Sequence, residues 1–266
     1  MVDFFIFTSK KMEHKIEIQV ACGHCHCKDV CKNGKRPNGI QRWRCNVCQK
    51  SFQTTYTYEA SKPDVKAKIL EQTLNSSGVR DISRNLKVDK NTVIAVLRKK
   101  KSPDVNPYLV DKVEAGQLSE LEICFYYDTE WDEFWSYVAK KSNQRWTWYA
   151  VERKTGLILA FQNGRRTDDS LKKLVQKVAH LPIRICYTDA WAAYEKHLPI
   201  ACIHRVGKDN TWKIERKNLN FRTHIKRLSR KTICFSKDEE IHDNVIALYI
   251  SSFYFKHGKY AHARAA

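Results

Sequence analysis

Between Val65 and Lys101 the apolar residues recur at helical spacing. Val65, Ile69, Leu70 and Leu74 mark a first helix behind Pro63, and Ser76-Ser77-Gly78 ends it. Val79, Ile82 and Leu86 mark a short second helix, Lys87-Val88 a turn, and Asp89 an N-cap. Val93, Val96 and Leu97 form the inner stripe of a third, leaving Lys90, Asn91, Arg98, Lys99 and Lys100 outside. This is the layout of a helix-turn-helix, whose last helix enters a major groove; a plain helical connector is the alternative. Ser102-Pro-Asp-Val-Asn-Pro107 reads as a linker and domain boundary.

After residue 120 the period shortens towards two. Ile123–Tyr127, Phe134–Ala139, Arg145–Val151 and Leu157–Phe161 read as short strands, with hairpin turns at Lys141-Ser-Asn143 and Lys154-Thr-Gly156. Thr167–His180 reads as an amphipathic helix, Ile183–Tyr187 as a buried strand, Trp212–Arg230 as a basic helix and Asp238–Phe253 as a last helix. The fold class that follows is α+β or mixed α/β.

Cysteine spacing adds a small module ahead of these elements. Cys22-Gly-His-Cys25 and Cys45-Asn-Val-Cys48 are separated by 19 residues, the spacing of a zinc ribbon in which four thiolates close on one structural ion, with a disulfide framework as the alternative. A segment this short lacks a sufficient core of its own, so metal binding supplies its folding energy. Cys27, Cys31, His24 and His26 lie within reach, and the two cysteines are read as spare. Asn33-Gly34 suggests a hairpin turn. Trp43, between Arg42 and Arg44, suits either base stacking or packing on the metal turns. The scattered Cys124, Cys186, Cys202 and Cys234 read as small buried hydrophobes.

Charge then narrows the partner. The chain of 266 residues carries +19, distributed as +12 over residues 1–101, zero over 102–206 and +7 over 207–266. Such a balance argues against an ordinary metabolic enzyme and for a polyanion. Hydrophobic content of 42% excludes a disordered basic tail. No apolar run reaches the ~18–20 residues of a membrane span. Val2–Phe7 is too short for a secretory signal, and Met12 is an alternative start to Met1. Within the neutral middle, Asp104 to Glu133 holds nine acids against Lys112 alone, which suits either a divalent-metal site or a solvated acidic face.

Three acids stand out. Asp132 is placed at the edge of a strand pair, and Asp189 just past a central strand, where open-sheet sites form. Glu215 is the sole acid between Lys213 and Lys237, with Asn218 and Arg222 on its helix face. Around these acids the second half resembles the transposases of the insertion-sequence-one family, of the Asp-Asp-Glu type. The matching stretches are Asp132-Glu-Phe-Trp-Ser-Tyr-Val138, Asn143-Gln-Arg-Trp-Thr-Trp-Tyr-Ala150, Tyr187-Thr-Asp-Ala-Trp191 and Ile214-Glu-Arg-Lys-Asn-Leu-Asn220. Arg222, Lys226-Arg-Leu-Ser-Arg-Lys-Thr-Ile-Cys-Phe-Ser-Lys237 and His242 match as well. The first half resembles the same family's four-cysteine zinc motif and helix-turn-helix, with Phe52-Gln-Thr-Thr-Tyr56 and Tyr58 fitting it too.

The resemblance implies a ribonuclease-H-like catalytic domain with Asp132, Asp189 and Glu215 as catalytic triad and ligands of two magnesium or manganese ions. Asp128 and Glu130, just upstream, are the alternatives for the first acid. It implies double-stranded DNA as partner, both terminal inverted repeats and target, a homo-oligomer on that DNA, no small-molecule substrate and no membrane. The location implied is prokaryotic, cytoplasmic and nucleoid-associated. DNA-contacting candidates are Lys90, Asn91, Arg98, Asn218, Arg222, Lys226, Arg227, Arg230 and Lys231. The expected organisation is an N-terminal extension (1–21), a zinc-binding module (22–58), a helix-turn-helix (62–101), a linker (102–119), the catalytic domain (120–256) and a tail (257–266). A zinc and helix-turn-helix transcription regulator without catalysis, or a ribonuclease-H-like nuclease without strand transfer, are the competing functions.

Overall fold

The computed structural model describes residues 19–56, 58–109, 127–199, 201–207, 212–229 and 231–255, with the side chains of Trp212 and Lys213 left out. The expectations for Met1–Lys11, Met12, Cys124, Arg230, most of the 102–119 stretch and the 257–266 tail lie outside these residues. The chain divides into two compact units, Met1–Val65 and Lys66–Ala266.

The first unit is a three-stranded antiparallel sheet, β1 (Val30–Lys35), β2 (Gln41–Cys45) and β3 (Ser51–Gln53), in that order. Asn33-Gly34 does not make the hairpin turn. Gly34, at φ 71°, absorbs a register shift between Lys32 and Lys35, and the chain reverses at Arg36–Ile40 instead. There Arg36 N donates to Ile40 O at 3.0 Å, and Gly39 adopts the left-handed φ of 81° that the turn requires. Alternation along β2 turns Arg42 and Arg44 outward. Trp43 packs with Val20, Cys27, Val30 and Cys48 on the core of Cys22, Cys45 and Phe52.

The division falls at the first residue of α1 (Val65–Leu74), which α2 (Val79–Leu86) and α3 (Lys90–Lys99) follow, the expected trio. Ile69, Ile82, Val88, Val93 and Leu97 are buried between them. Asp89 caps α3 by accepting from Asn91 N at 2.7 Å.

These helices pack with the elements that follow, so the unit boundary falls ahead of them and not in the 102–119 stretch. Arg98 pairs with Asp238 at 2.7 Å, and Asn244 Nδ2 donates to Leu97 O at 3.0 Å. Residues 104–109 do not hang free either. Asn106 N donates to Leu159 O, Val105 bridges Ala160, and Leu109 enters the core. Asn106 is wholly buried because its amide caps the carbonyls of Ile158 and Phe255.

A five-stranded mixed sheet follows. It comprises β4 (Tyr127–Val138), β5 (Lys140–Glu152), β6 (Ile158–Gly164), β7 (Ile183–Thr188) and β8 (Ile203–Val206), ordered β6-β5-β4-β7-β8. The first three are antiparallel; β7 and β8 run parallel to β4. On one face lie α4 (Asp168–Val178) and α5 (Ala192–His197), burying Leu171, Leu174, Val178 and Tyr194 against Trp131 and Trp148. On the other lie α6 (Trp212–His224) and α7 (Glu239–Phe253), with the Phe221 ring 5.0 Å from Phe134 and 5.6 Å from Tyr249.

Two readings of this region are corrected. The strands expected at Ile123–Tyr127 and Phe134–Ala139 are, where described, one 12-residue strand that runs straight through the acids. Asp132 therefore sits mid-strand and not at an edge. The acids are tolerated there because partners meet them: Asp128 takes Arg184, Glu130 takes Arg153, and Glu133 takes Arg166 and Tyr194. The β4–β5 reversal comes at Ala139, with φ 65°, so Lys141-Ser-Asn143 lies inside β5; the Lys154–Gly156 turn stands as expected.

The basic helix is the second correction, since it ends at His224 and not at Arg230. Ser76 Oγ donates to His224 O (2.5 Å) and accepts from Lys226 N (2.9 Å), engaging groups that would otherwise continue the helix. Lys226–Leu228 is a separate 3₁₀ turn.

Candidate active site and metal centre

The parallel register of β4 and β7 sets Glu130 opposite Tyr187. Continued two residues, it brings Asp132 level with Asp189, the first residue beyond β7. Each carboxylate is fixed by backbone and side-chain donors. Asp189 Oδ1 accepts from Trp191 N at 3.0 Å. Asp132 Oδ1 accepts from Glu133 N at 2.8 Å, and its Oδ2 accepts from Asn218 Nδ2 on α6 at 2.5 Å. Asn218 Oδ1 accepts in turn from Tyr149 Oη at 2.7 Å, and Tyr149 is the residue opposite Asp132 on β5.

Burial, reinforced by the neighbouring Glu133 and by Asp189, pushes Asp132 up to about 7 against its two hydrogen bonds. Glu133 is raised as well, chiefly by burial, although Tyr194 and Arg166 pull it down. Acids crowded and desolvated in this way are poorly stabilised as anions by the protein alone. A divalent cation among hard oxygen ligands would reverse that penalty, so the donor set fits magnesium or manganese.

Glu215 stands exposed in the first turn of α6. That turn is fixed by Ile214 N donating to Glu130 Oε2 at 3.0 Å. One turn on, Asn218 reaches Asp132, but Glu215 itself stays exposed, and the three acids do not converge within 4.8 Å of one another. The alternative first acids are engaged elsewhere. Asp128 accepts Arg184 through two bonds of 3.0 and 2.7 Å, and Glu130 is wholly buried beside Arg153 and Ile214 N.

Among the described residues, the group of histidine, cysteine and acidic side chains that converges within 4.8 Å is Cys22, Cys25, Cys45 and Cys48. Cys22 and Cys48 Sγ lie 3.6 Å apart, and Cys25 and Cys45 Sγ 3.5 Å. A tetrahedral ion with metal–sulfur bonds of about 2.3 Å requires sulfurs roughly 3.8 Å apart. His24 N and Cys48 N donate to Cys22 and Cys45 Sγ at 3.4 Å, an arrangement that favours thiolate. Cys27 and Cys31 stay outside the group, near Asp29 N and Asn46.

The DNA-contacting candidates separate by surroundings. Lys90, Asn91, Lys226 and Lys231 are exposed, and Arg222 is half-buried. Asn218 is not available to DNA, since it is buried against Asp132 and Tyr149. Arg227 turns inward to Ser236 Oγ at 3.5 Å, and burial lowers its pKa. Arg98 is exposed but already paired with Asp238 and, at 3.9 Å, Glu240.

Glu133, Arg166, Tyr194 and Tyr149 escaped the sequence reading. Arg166 lies 5.1 and 5.0 Å from the Trp146 and Trp191 ring centroids while holding Glu133 at 2.8 Å. The available signal was Glu133 itself, an acid directly beside Asp132 and flanked by aromatic residues.

Comparison with known proteins places the chain. A family model described as IS1 transposase matches residues 123–256, and one described as InsA C-terminal domain matches 56–102. Insertion element iso-IS1n protein InsB of Shigella dysenteriae is 44% identical over 126 residues, covering 47% of this chain and 95% of that protein. Insertion element IS1 4 protein InsB of Escherichia coli (strain K12) is 38% identical over 143 residues, covering 54% and 81%. Among solved structures, the catalytic core domain of BIV integrase covers 48% of this chain and 85% of its own, at 14% identity and a TM-score of 0.31. With the transposase model spanning half its length and InsB proteins matched over most of theirs, the chain belongs to the IS1 transposase family, of the Asp-Asp-Glu type.

Proposed function

We propose that this chain binds the terminal inverted repeats of its insertion element as double-stranded DNA and catalyses strand cleavage and strand transfer by in-line attack on phosphodiesters. The observation that carries the reading is the parallel β4–β7 register, which extended by two residues sets Asp132 level with Asp189, on the strand that Asn218 of the Glu215 helix contacts. These three acids are the proposed catalytic set and would hold two magnesium or manganese ions. When bound, such ions activate the attacking oxygen and neutralise the leaving one. The chain's own work is positional. Asn218 and the Glu133 amide orient Asp132, the Trp191 amide orients Asp189, and Arg166 balances Glu133. The strand order, with β4 central and β7 and β8 parallel to it, supports a ribonuclease-H-like catalytic domain over 120–256.

The four converging cysteines would hold one structural zinc in the 22–58 module. The 62–101 helices would bind the element's ends, Asn91 facing the bases and Lys90 a phosphate, while Lys226, Lys231 and Arg222, with Arg230, would grip phosphates. Cleaving two ends together calls for a homo-oligomer on DNA. No described helix is long and apolar enough to cross a membrane, and the proposed place of action is the prokaryotic nucleoid.

The deciding experiment is magnesium-dependent cleavage of the element's own ends by purified protein, wild type against Asp189→Asn. Cleavage by the variant would sink the assignment. Donor ends cut but never joined to target would favour a nuclease.

A further inference from the structure

The segment joining the 3₁₀ turn to α7 carries an aliphatic side chain with almost no protein around it: Ile233 is 93% exposed. Its neighbours on both sides are held down. Thr232 O accepts from Tyr137 Oη at 3.2 Å, and Thr232 Oγ1 accepts from Cys234 N at 2.9 Å, closing a tight local turn. Phe235 lies 5.4 Å from the Tyr137 ring. Ser236 O accepts from Ala139 N at 2.7 Å, and Ser236 Oγ meets His242 Nδ1 at 2.8 Å. Ile233 is thus a raised tip between two anchors, and its β-branched side chain is stiff at χ1.

The setting of the tip is basic. From Lys226 to Lys237 the sequence holds five Lys or Arg and no acid, and Lys226, Lys231 and Lys237 are exposed. An apolar prong flanked along the chain by exposed lysines suits a duplex, whose phosphates would meet the lysines and whose interior would take the prong. Isoleucine is among the side chains that wedge between base steps, unstacking and kinking the helix. The tip hangs from Tyr137, five residues along β4 from Asp132. At about 3.3 Å per residue that is roughly 17 Å, or about five base-pair rises.

We propose that Ile233 is a DNA wedge that opens one base step within about five base pairs of the phosphate cut at Asp132. The proposal rests on the transposase reading above. It assigns Ile233 a positioning role: the unstacked step bends the strand towards the acids, and Ile233 touches no reacting atom.

The test scans 2-aminopurine, whose fluorescence rises on unstacking, across the element end and its flank. Wild type should brighten the probe at one step, Ile233→Ala should not, and Ile233→Met should restore the signal. Lys231→Ala should weaken binding but keep the rise in each bound complex. Ile233→Ala should cut fully paired ends slower by about tenfold or more, and ends mismatched at that step at close to the wild-type rate. A probe that brightens equally with Ile233→Ala, or no rescue by the mismatch, overturns the wedge. So does a wild type that binds and cuts with no bright step. A wild type that fails to bind its ends overturns the functional reading beneath it.

Discussion

Asn218 donates to Asp132 Oδ2 at 2.5 Å while accepting from Tyr149 Oη at 2.7 Å, so a buried amide on α6 sets the orientation of a carboxylate on β4. The same amide stands one helical turn from Glu215. It therefore links the strand acid to the helix that bears Glu215.

Replacing Asn218 should uncouple them. Asn218→Ala is expected to lower single-turnover cleavage by about 10–100-fold, the usual cost of losing a partner that orients a metal ligand. Filter binding to the element's ends should stay unchanged. A variant that loses DNA affinity in proportion to cleavage would restore Asn218 to the DNA-contacting set.

The four-cysteine group predicts one zinc per chain by elemental analysis. Cys45→Ser should abolish zinc binding and expose the Met1–Val65 unit to protease, because structural zinc supplies on the order of 10 kcal/mol to such modules. Cys27→Ser and Cys31→Ser should keep the metal, since both thiols lie outside the group. Loss of zinc from either would redraw the ligand set.

Lys90 and Arg98 lie on the same helix but should respond differently. Lys90→Ala should weaken binding to all sequences and reduce the slope of log affinity against log salt by about 0.9, the value for one phosphate contact. Arg98→Ala breaks the link to Asp238 and should loosen α3 from α7 without changing the salt slope, while Arg98→Lys keeps a cation at Asp238 and should hold the two helices together; Asp238 itself is left intact because it also caps α7. Equal protection of wild type and Arg98→Ala in limited proteolysis between α3 and α7 would refute that pairing.

His242 predicts an acid-sensitive fold. Burial drops its pKa to about 3, with Arg227 and Arg145 adding to the effect, and the neutral ring bridges Ser136 and Ser236. Unfolded, it takes up a proton near 6.5, so the unfolded state binds more protons between about pH 6.5 and 3. Stability is fully present above that window. It falls as pH drops through it, by up to about 1.4 kcal/mol per unit from this residue. Urea titrations of His242→Gln at pH 7 and pH 5 should show a shallower loss than wild type; an equal loss would place the sensitivity elsewhere.

Local chemistry made much of this legible in sequence. The helix-turn-helix was readable because Asp89 caps α3 and an apolar stripe runs through each helix. The zinc pairs were readable because each C-x-x-C turn is a short-range device. What escaped was set by partners distant in sequence. Asp128, Glu130 and Glu133 look like a turn until Arg184, Arg153 and Arg166 arrive from other elements to keep the strand whole. The early end of α6 depends on Ser76, about 150 residues away. Asn218 looked like a DNA contact because its inward turn is decided by Tyr149.

The fastening of α3 to α7 makes the second unit a ruler. Asn244 holds the last carbonyls of the recognition helix, and Ser76 ties its neighbours to the end of the helix bearing Glu215. On the proposed reading, the base pairs that α3 would contact and the phosphate at the acids would lie a set number of steps apart. Inserting one base pair between them should move the cut by one position in sequence while leaving it unmoved relative to the protein.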